Sequence, residues 1–224
     1  MGFFSEGSLY SRIFGFLGQL IALNLLWIFC CIPVFTAGAS TTALFYCVLR
    51  MHKEGYCFAI KDFFKSFKRN FKQATLIWLL ILAFVGVLYV DKSFIPQMSG
   101  VMSIVFSYIL VAVCIPAIML LLYIFPTVAA FENKIKNLIT NAFYFAVKNI
   151  FFTLAIAAIT IMPMFFTLVD AKLFPVYLFI WLLCGFSLTA YADAWFIWKI
   201  FKPYFKEDEE EREYKDFETD RYVF

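Results

Sequence analysis

Three polar side chains lie inside stretches that are otherwise apolar, and they bound the chemistry this chain can perform. Gln19 and Asn24 share one run and Asp193 lies in another. An amide in such a run can both donate and accept, so Gln19 and Asn24 suit hydrogen bonds to a neighbouring helix, each worth on the order of 1 kcal/mol. They are five positions apart and do not share a helix face. Asp193 is the one acidic residue within an apolar run, where a carboxylate could hold a cation or carry a proton. The competing reading is an ion pair with a basic residue such as Lys53 or Arg69, tying its helix to the membrane interface. A single carboxylate makes a poor transport site alone, which favours the ion pair.

Most catalytic chemistries are excluded by composition. The only histidine, His52, lies in a basic stretch, so multi-histidine metal sites and most histidine triads are absent. The six cysteines have no metal-ligand spacing, and reduced, small, hydrophobic roles are expected for them. No glycine-rich phosphate loop occurs, and Gly15 and Gly18 form at most a helix-packing pair. The expectation is a non-enzymatic protein with no cofactor, metal site or nucleic-acid partner.

The elements that must position these residues are membrane spans. Hydrophobic residues make up 63% of the 224, and 31 are Phe, against roughly 45–50% apolar in soluble domains. About 20 apolar residues cross some 30 Å of hydrocarbon. The runs at 13–35, 74–90, 101–125, 150–169 and 174–198 therefore read as five spans of one integral domain covering 1–205, an all-α polytopic bundle. Residues 37–51 are short and carry Ser40, Thr41 and Thr42, so they read as an interfacial or re-entrant helix. Sixteen of the nineteen Lys and Arg residues lie in 36–72, 126–149 and 199–224, which five spans place on one side. Cytoplasmic loops collect basic residues, so the reading is a cell-membrane protein with its N-terminus outside and its C-terminus cytoplasmic. A signal peptide cut after Ala39 would reverse that placement, but the apolar run before it exceeds the roughly 7–15 residues of such segments.

The basic stretches are patterned. Ile60, Phe63, Phe64, Phe67 and Phe71 recur on one helix face, with Lys61, Asp62, Lys65, Lys68, Arg69 and Lys72 opposite. Residues 59–72 thus read as a helix lying in the cytoplasmic interface, its Phe rings in the acyl boundary and its cations toward anionic headgroups or a partner. Residues 136–149 read likewise, with Ile139, Ala142, Phe143, Ala146 and Ile150 on the apolar face and Lys148 as a headgroup contact. Lys148-Asn149 answers Arg69-Asn70, and Val169-Asp170 answers Val90-Asp91, each 79 residues later. A duplicated unit of span, interfacial helix and span is the expectation, giving a two-fold repeat about the membrane normal. Residues 206–224 hold nine acidic residues between Glu207 and Asp220 and read as a solvated, flexible cytoplasmic tail.

Several segments carry a resemblance: MGFFSEGSLYSRIFGFLGQL, CCIPVFTAGASTTALFYCVLRM, DFFKSFKRNFKQATLIWLL and YADAWFIWKIFKPYF. Together they resemble the YesL-like family of bacterial integral membrane proteins, a domain of unknown function often encoded beside carbohydrate ABC transporters and their regulators. The resemblance implies an accessory role in carbohydrate uptake or sensing, with a carbohydrate ABC permease or a sensor kinase as partner. It transfers no catalytic or ligand residue. The alternative is a small-solute transporter or channel with its path between the repeat halves.

Overall fold

The computed structural model describes the backbone of residues 9–95 and 100–221, with side chains over 13–95 and 100–205. Its elements are α1 (Leu9–Cys31), a 3-10 turn (Val34–Thr36), α2 (Ala37–Glu54), α3 (Ala59–Phe94), α4 (Val101–Ala130), α5 (Ile135–Lys148), α6 (Ile150–Val169), α7 (Phe174–Ile180), a π turn (Trp181–Gly185) and α8 (Phe186–Arg221). No strand occurs among the described residues. Among the described residues, six segments are long and apolar enough to cross a membrane: the five expected from sequence, and Val34–Glu54.

The sixth is the largest departure from the sequence reading, because α2 is the most enclosed helix of the bundle and not a surface helix. Ala39, Ser40, Thr42, Ala43, Cys47 and Val48 have no exposed surface. The residues read as interfacial are instead small enough to let neighbours approach. A Cβ added at Gly38 would lie 2.5 Å from Trp78 Cβ and 2.6 Å from the Ala74 carbonyl oxygen. The hydroxyls find partners inside: Ser40 donates to the Trp27 carbonyl at 3.0 Å, Trp27 Nε1 donates to Thr41 at 3.1 Å, and Thr42 donates to the Gly38 carbonyl at 2.9 Å. Small residues and internally bonded hydroxyls are how helices pack closely in lipid, where apolar surface gives no drive to associate.

The interfacial helix expected over 59–72 and the span expected over 74–90 are one helix. α3 runs 36 residues without a proline, about 54 Å at 1.5 Å per residue, longer than the hydrocarbon is thick. Its Phe face is divided: Ile60 and Phe64 are exposed, and the rest turns inward. Phe63 is fully buried, with Asp62, Ser66 and Asn70 beside it, and Phe67 and Phe71 pack against the core. The link to α2 is polar as well: Arg50 Nη1 donates to Asp62 Oδ1 at 2.6 Å, and the Phe58 N–H donates to Asp62 Oδ2 at 2.8 Å. In α5 the buried face is Leu138, Ala142, Phe145 and Ala146, rotated from the expected one, which leaves Phe143 and the following Ile150 exposed.

The two halves of the suspected repeat differ at the residues that were matched between them. At Asn149 the chain leaves helical geometry (φ −116°, ψ 50°) and turns a corner between α5 and α6. Thr153 closes that corner by donating to the Ala146 carbonyl at 2.7 Å. At the corresponding Asn70 the helix continues unbroken, its side chain donating to Ser66.

Contacts fix the helix directions. Phe16 packs on Tyr191 and Asn24 bonds Trp181 and Leu182, so positions rise along α1 as they fall along α8. α6 is likewise antiparallel to α8, through Phe152 with Phe196 and Thr160 with Asp193. α2 returns beside α1: Thr41 meets Trp27, while His52 stacks on the same Tyr191 that meets Phe16. α1 and the last apolar helix thus run antiparallel, with α2 returning the chain beside α1. The tail expected to be flexible continues α8 as helix to Arg221. The side chains of 206–224 lie outside the described residues.

Because the space beside Gly38 is bounded by backbone as well as a side chain, Gly38→Ala should destabilise the bundle by about 1–3 kcal/mol. Thermal unfolding in detergent should show a lowered midpoint. A midpoint equal to wild type would refute the close α2–α3 approach.

Candidate functional site

The polar side chains of the membrane interior fall into two sets. Asn24, with no exposed surface, sits against the π turn in the last crossing. Its Nδ2 donates to the carbonyls of Trp181 and Leu182 at 3.0 and 2.8 Å, and its Oδ1 accepts the Ser187 N–H at 3.0 Å. A π turn shifts the helical bonding by one residue and leaves backbone groups without their usual partners. In lipid each such group costs several kcal/mol if unpaired. One amide, which donates twice and accepts once, repairs the break. The Trp181 indole donates to Thr167 at 2.9 Å and lies against Gly185, where a Cβ would come within 2.7 Å of the ring.

The second set surrounds Asp193, which is only 4% exposed. Its Oδ2 accepts a bond from Thr160 at 2.8 Å, while Oδ1 is buried without a hydrogen-bond partner among the described residues. The ion pair anticipated with Lys53 or Arg69 is not formed. Arg69 lies 3.4 Å from Glu132 and over the Tyr46 ring, and Lys53 lies over Phe205. Asp193 thus faces α6, not the interface.

The reading from sequence overlooked the partner surface. Thr153, Thr160 and Thr167 recur every seven residues along α6 and therefore share one face. Thr153 meets the Tyr123 hydroxyl at 3.0 Å, Thr160 meets Asp193, and Thr167 meets Trp181. That spacing was present in the sequence as the only regular polar signal in an apolar run. Gln19 is half-buried and belongs to neither set, so Gln19, Asn24 and Asp193 do not converge on one cavity. Among the described residues no group of three or more His, Cys, Asp or Glu could hold a metal ion.

The basic candidates are all at the surface, in two arrangements. Lys61, Lys65, Lys68 and Lys72 are exposed, and their spacing of four, three and four places them on one narrow stripe of α3, opposite the buried Phe63 face. Arg69 is turned away from this stripe by its contacts with Tyr46 and Glu132. Lys148 lies 3.2 Å from the Tyr204 hydroxyl and over the Tyr144 ring. The hydroxyls of Tyr144 and Tyr204 hold its ammonium above the ordinary lysine range.

The fold and these sites define a multi-pass α-helical membrane protein whose interior polar groups are spent mainly on pairing helices. A family model described as "Protein of unknown function, DUF624" matches residues 20–92, which takes in Asn24, α2 and the lysine stripe but neither Asp193 nor the threonine face of α6. No curated protein and no solved structure matches the chain.

Replacing Asn24 with Leu strands two carbonyls and one N–H in the membrane interior. The expected cost is at least about 1–3 kcal/mol, the usual penalty for a stranded buried partner, read as a lowered unfolding midpoint. Asp193→Asn keeps an acceptor for Thr160 and should leave the midpoint within about 0.5 kcal/mol of wild type. The reverse order of effects would mean that Asp193, and not Asn24, secures the last crossing.

Proposed function

We propose that this protein is a non-enzymatic accessory subunit of a bacterial carbohydrate uptake or sensing system, and a member of the YesL-like family that its segments resemble. Both termini and the lysine stripe lie on the cytoplasmic side in this reading. The observation that carries it is the stripe itself: four lysines on one exposed face of α3, with no acidic side chain on that face, while the interior polar groups are occupied by helix pairing. Such a face suits an acidic surface on a membrane partner, and four aligned cations favour fast, specific encounter more than raw affinity. Placing the N-terminus inside leaves Lys92 and Lys172 as the only basic residues outside, a stronger asymmetry than the five-span arrangement gives. The packed centre, where Leu20, Leu23, Ala39, Ala43, Tyr123 and Ile197 have no exposed surface, supports contact surfaces over a solute path.

The second reading, a small-solute transporter, rests on one observation, the bare Oδ1 of Asp193. Purification from the native host in mild detergent separates the two. The accessory reading expects an ABC permease or a sensor kinase, identified by mass spectrometry, to co-purify. Reversing Lys61, Lys65, Lys68 and Lys72 to Glu should reduce its recovery at least tenfold, and Asp193→Asn should not. Solute flux in proteoliposomes that Asp193→Asn abolishes, without any co-purifying permease or kinase, would replace this reading with the transporter. Tags at the two ends should both be accessible from the cytoplasm; an N-terminal tag reached only from outside would overturn the topology.

A further inference from the structure

Between them, α3 and α4 line a partly open groove of about 520 Å³, with α5 closing one end. Its walls are entirely apolar. Leu80 and Phe84 come from α3 and Ala117 and Leu121 from α4, and Ile139 and Phe143 of α5 form the closed end. Pro116 lies in the α4 wall. Lacking an N–H, it cannot bond the Ala112 carbonyl, and its ring crowds the preceding turn. With the small Ala117 beside it, this local disruption makes room for the groove. The volume is within the roughly 300–1,000 Å³ of ligand-sized sites.

Next to the residues of the closed end, the chain is polar and positive. Gln73 Nε2 donates to the Asn133 carbonyl at 2.7 Å, and Arg69 meets Glu132 at 3.4 Å, so the start of the apolar part of α3 is fastened to the loop before α5. Lys136 follows that loop. It is one turn before Ile139 on the same face of α5 and is exposed, with no hydrogen bond or ion pair from its side chain among the described residues. Lys134, also exposed, is two positions earlier. Lys134, Lys136 and Arg69 against Glu132 leave a net positive rim beside a dry, membrane-facing slot. An apolar slot with a basic rim at one end complements a molecule with apolar chains and one anionic head.

We propose that this groove is a binding site for an anionic phospholipid, with its acyl chains along Leu80, Phe84 and Ala117 and its phosphate at Lys136. Basic pockets beside membrane helices recognise anionic headgroups in this way. The site is distinct from the lysine stripe, which lies on the opposite face of α3.

The test uses the full chain, delipidated in detergent and reconstituted with equal parts phosphatidylglycerol and phosphatidylcholine, then re-extracted for lipid counting by native mass spectrometry. The expected result is one phosphatidylglycerol retained per chain, at least fivefold over phosphatidylcholine. Ala117→Trp should fill the slot and cut retention at least fivefold. Lys136→Glu, a surface change that leaves packing intact, should bring the two lipids to parity, whereas Lys61→Glu on the far face should leave the preference unchanged. Cys114, which lines the groove, supplies a native probe, and phosphatidylglycerol should protect it from a lipophilic maleimide. Equal retention of both lipids by the wild type, or retention indifferent to Lys136→Glu, would overturn the proposal. So would a Cys114–Cys114 cross-link in the bilayer, because it would mean that a second copy of the chain fills the groove.

Discussion

Close approach to α2 is the constraint on which the rest of the bundle depends. α1, α3, α4 and α8 all pack on this one helix, and they can do so because its inward positions are Gly38, Ala39, Ser40, Ala43 and Cys47. In lipid, apolar side chains are as well solvated outside the bundle as inside it, so association relies on tight packing and internal hydrogen bonds. The small face supplies the first. Ser40 and Thr41 on Trp27, with the Arg50–Asp62 pair at the other end, supply the second. A larger residue at Gly38 would push away the helix that carries Trp78, and Phe125 of α4 with it.

Polar groups elsewhere in the interior follow the same logic of pairing. The threonine face of α6 joins α4, α8 and the π turn one residue at a time, and Asn24 mends the only described break in the last crossing. Three buried oxygens have no hydrogen-bond partner among the described residues, the Thr75 and Thr127 hydroxyls and Asp193 Oδ1, and of these only Asp193 is a carboxylate, with Thr160 on its other oxygen. A carboxylate so placed is the one interior group whose chemistry exceeds what packing needs. Its isolation from Gln19 and Asn24 still argues against a continuous path.

Surface chemistry is divided between the two faces of α3. One carries four lysines with no counter-charge among the described residues. The other, further along the helix, borders a slot with no polar wall. Helical periodicity separates them, since residues 61, 65, 68 and 72 lie nearly opposite 77, 81, 84 and 88 when projected down the axis. One helix can therefore meet an acidic partner on one side and lipid on the other without competition.

Much of this was legible in the residues. Composition and run length alone give an all-α membrane bundle, because only a helix satisfies its own backbone in lipid, and the five longest apolar runs are helical in the structure. The lysine spacing gave the stripe, and Asn24 stood out as a polar residue needing a partner. What the sequence left undetermined was which surface each face meets. Amphipathic periodicity reports a polar and an apolar side but does not say whether the apolar side meets lipid or protein: on α3, Phe63, Phe67 and Phe71 pack against the core while Ile60 and Phe64 stay exposed. The small, hydroxylated residues of α2 look the same in isolation whether they sit at an interface or between helices, and only their neighbours make them the central helix that returns beside α1. The partner of Asp193, 33 positions away on α6, and the π turn that Asn24 repairs, more than 150 positions away, likewise depend on which helices lie side by side. That is settled by three-dimensional packing, because no local period records it.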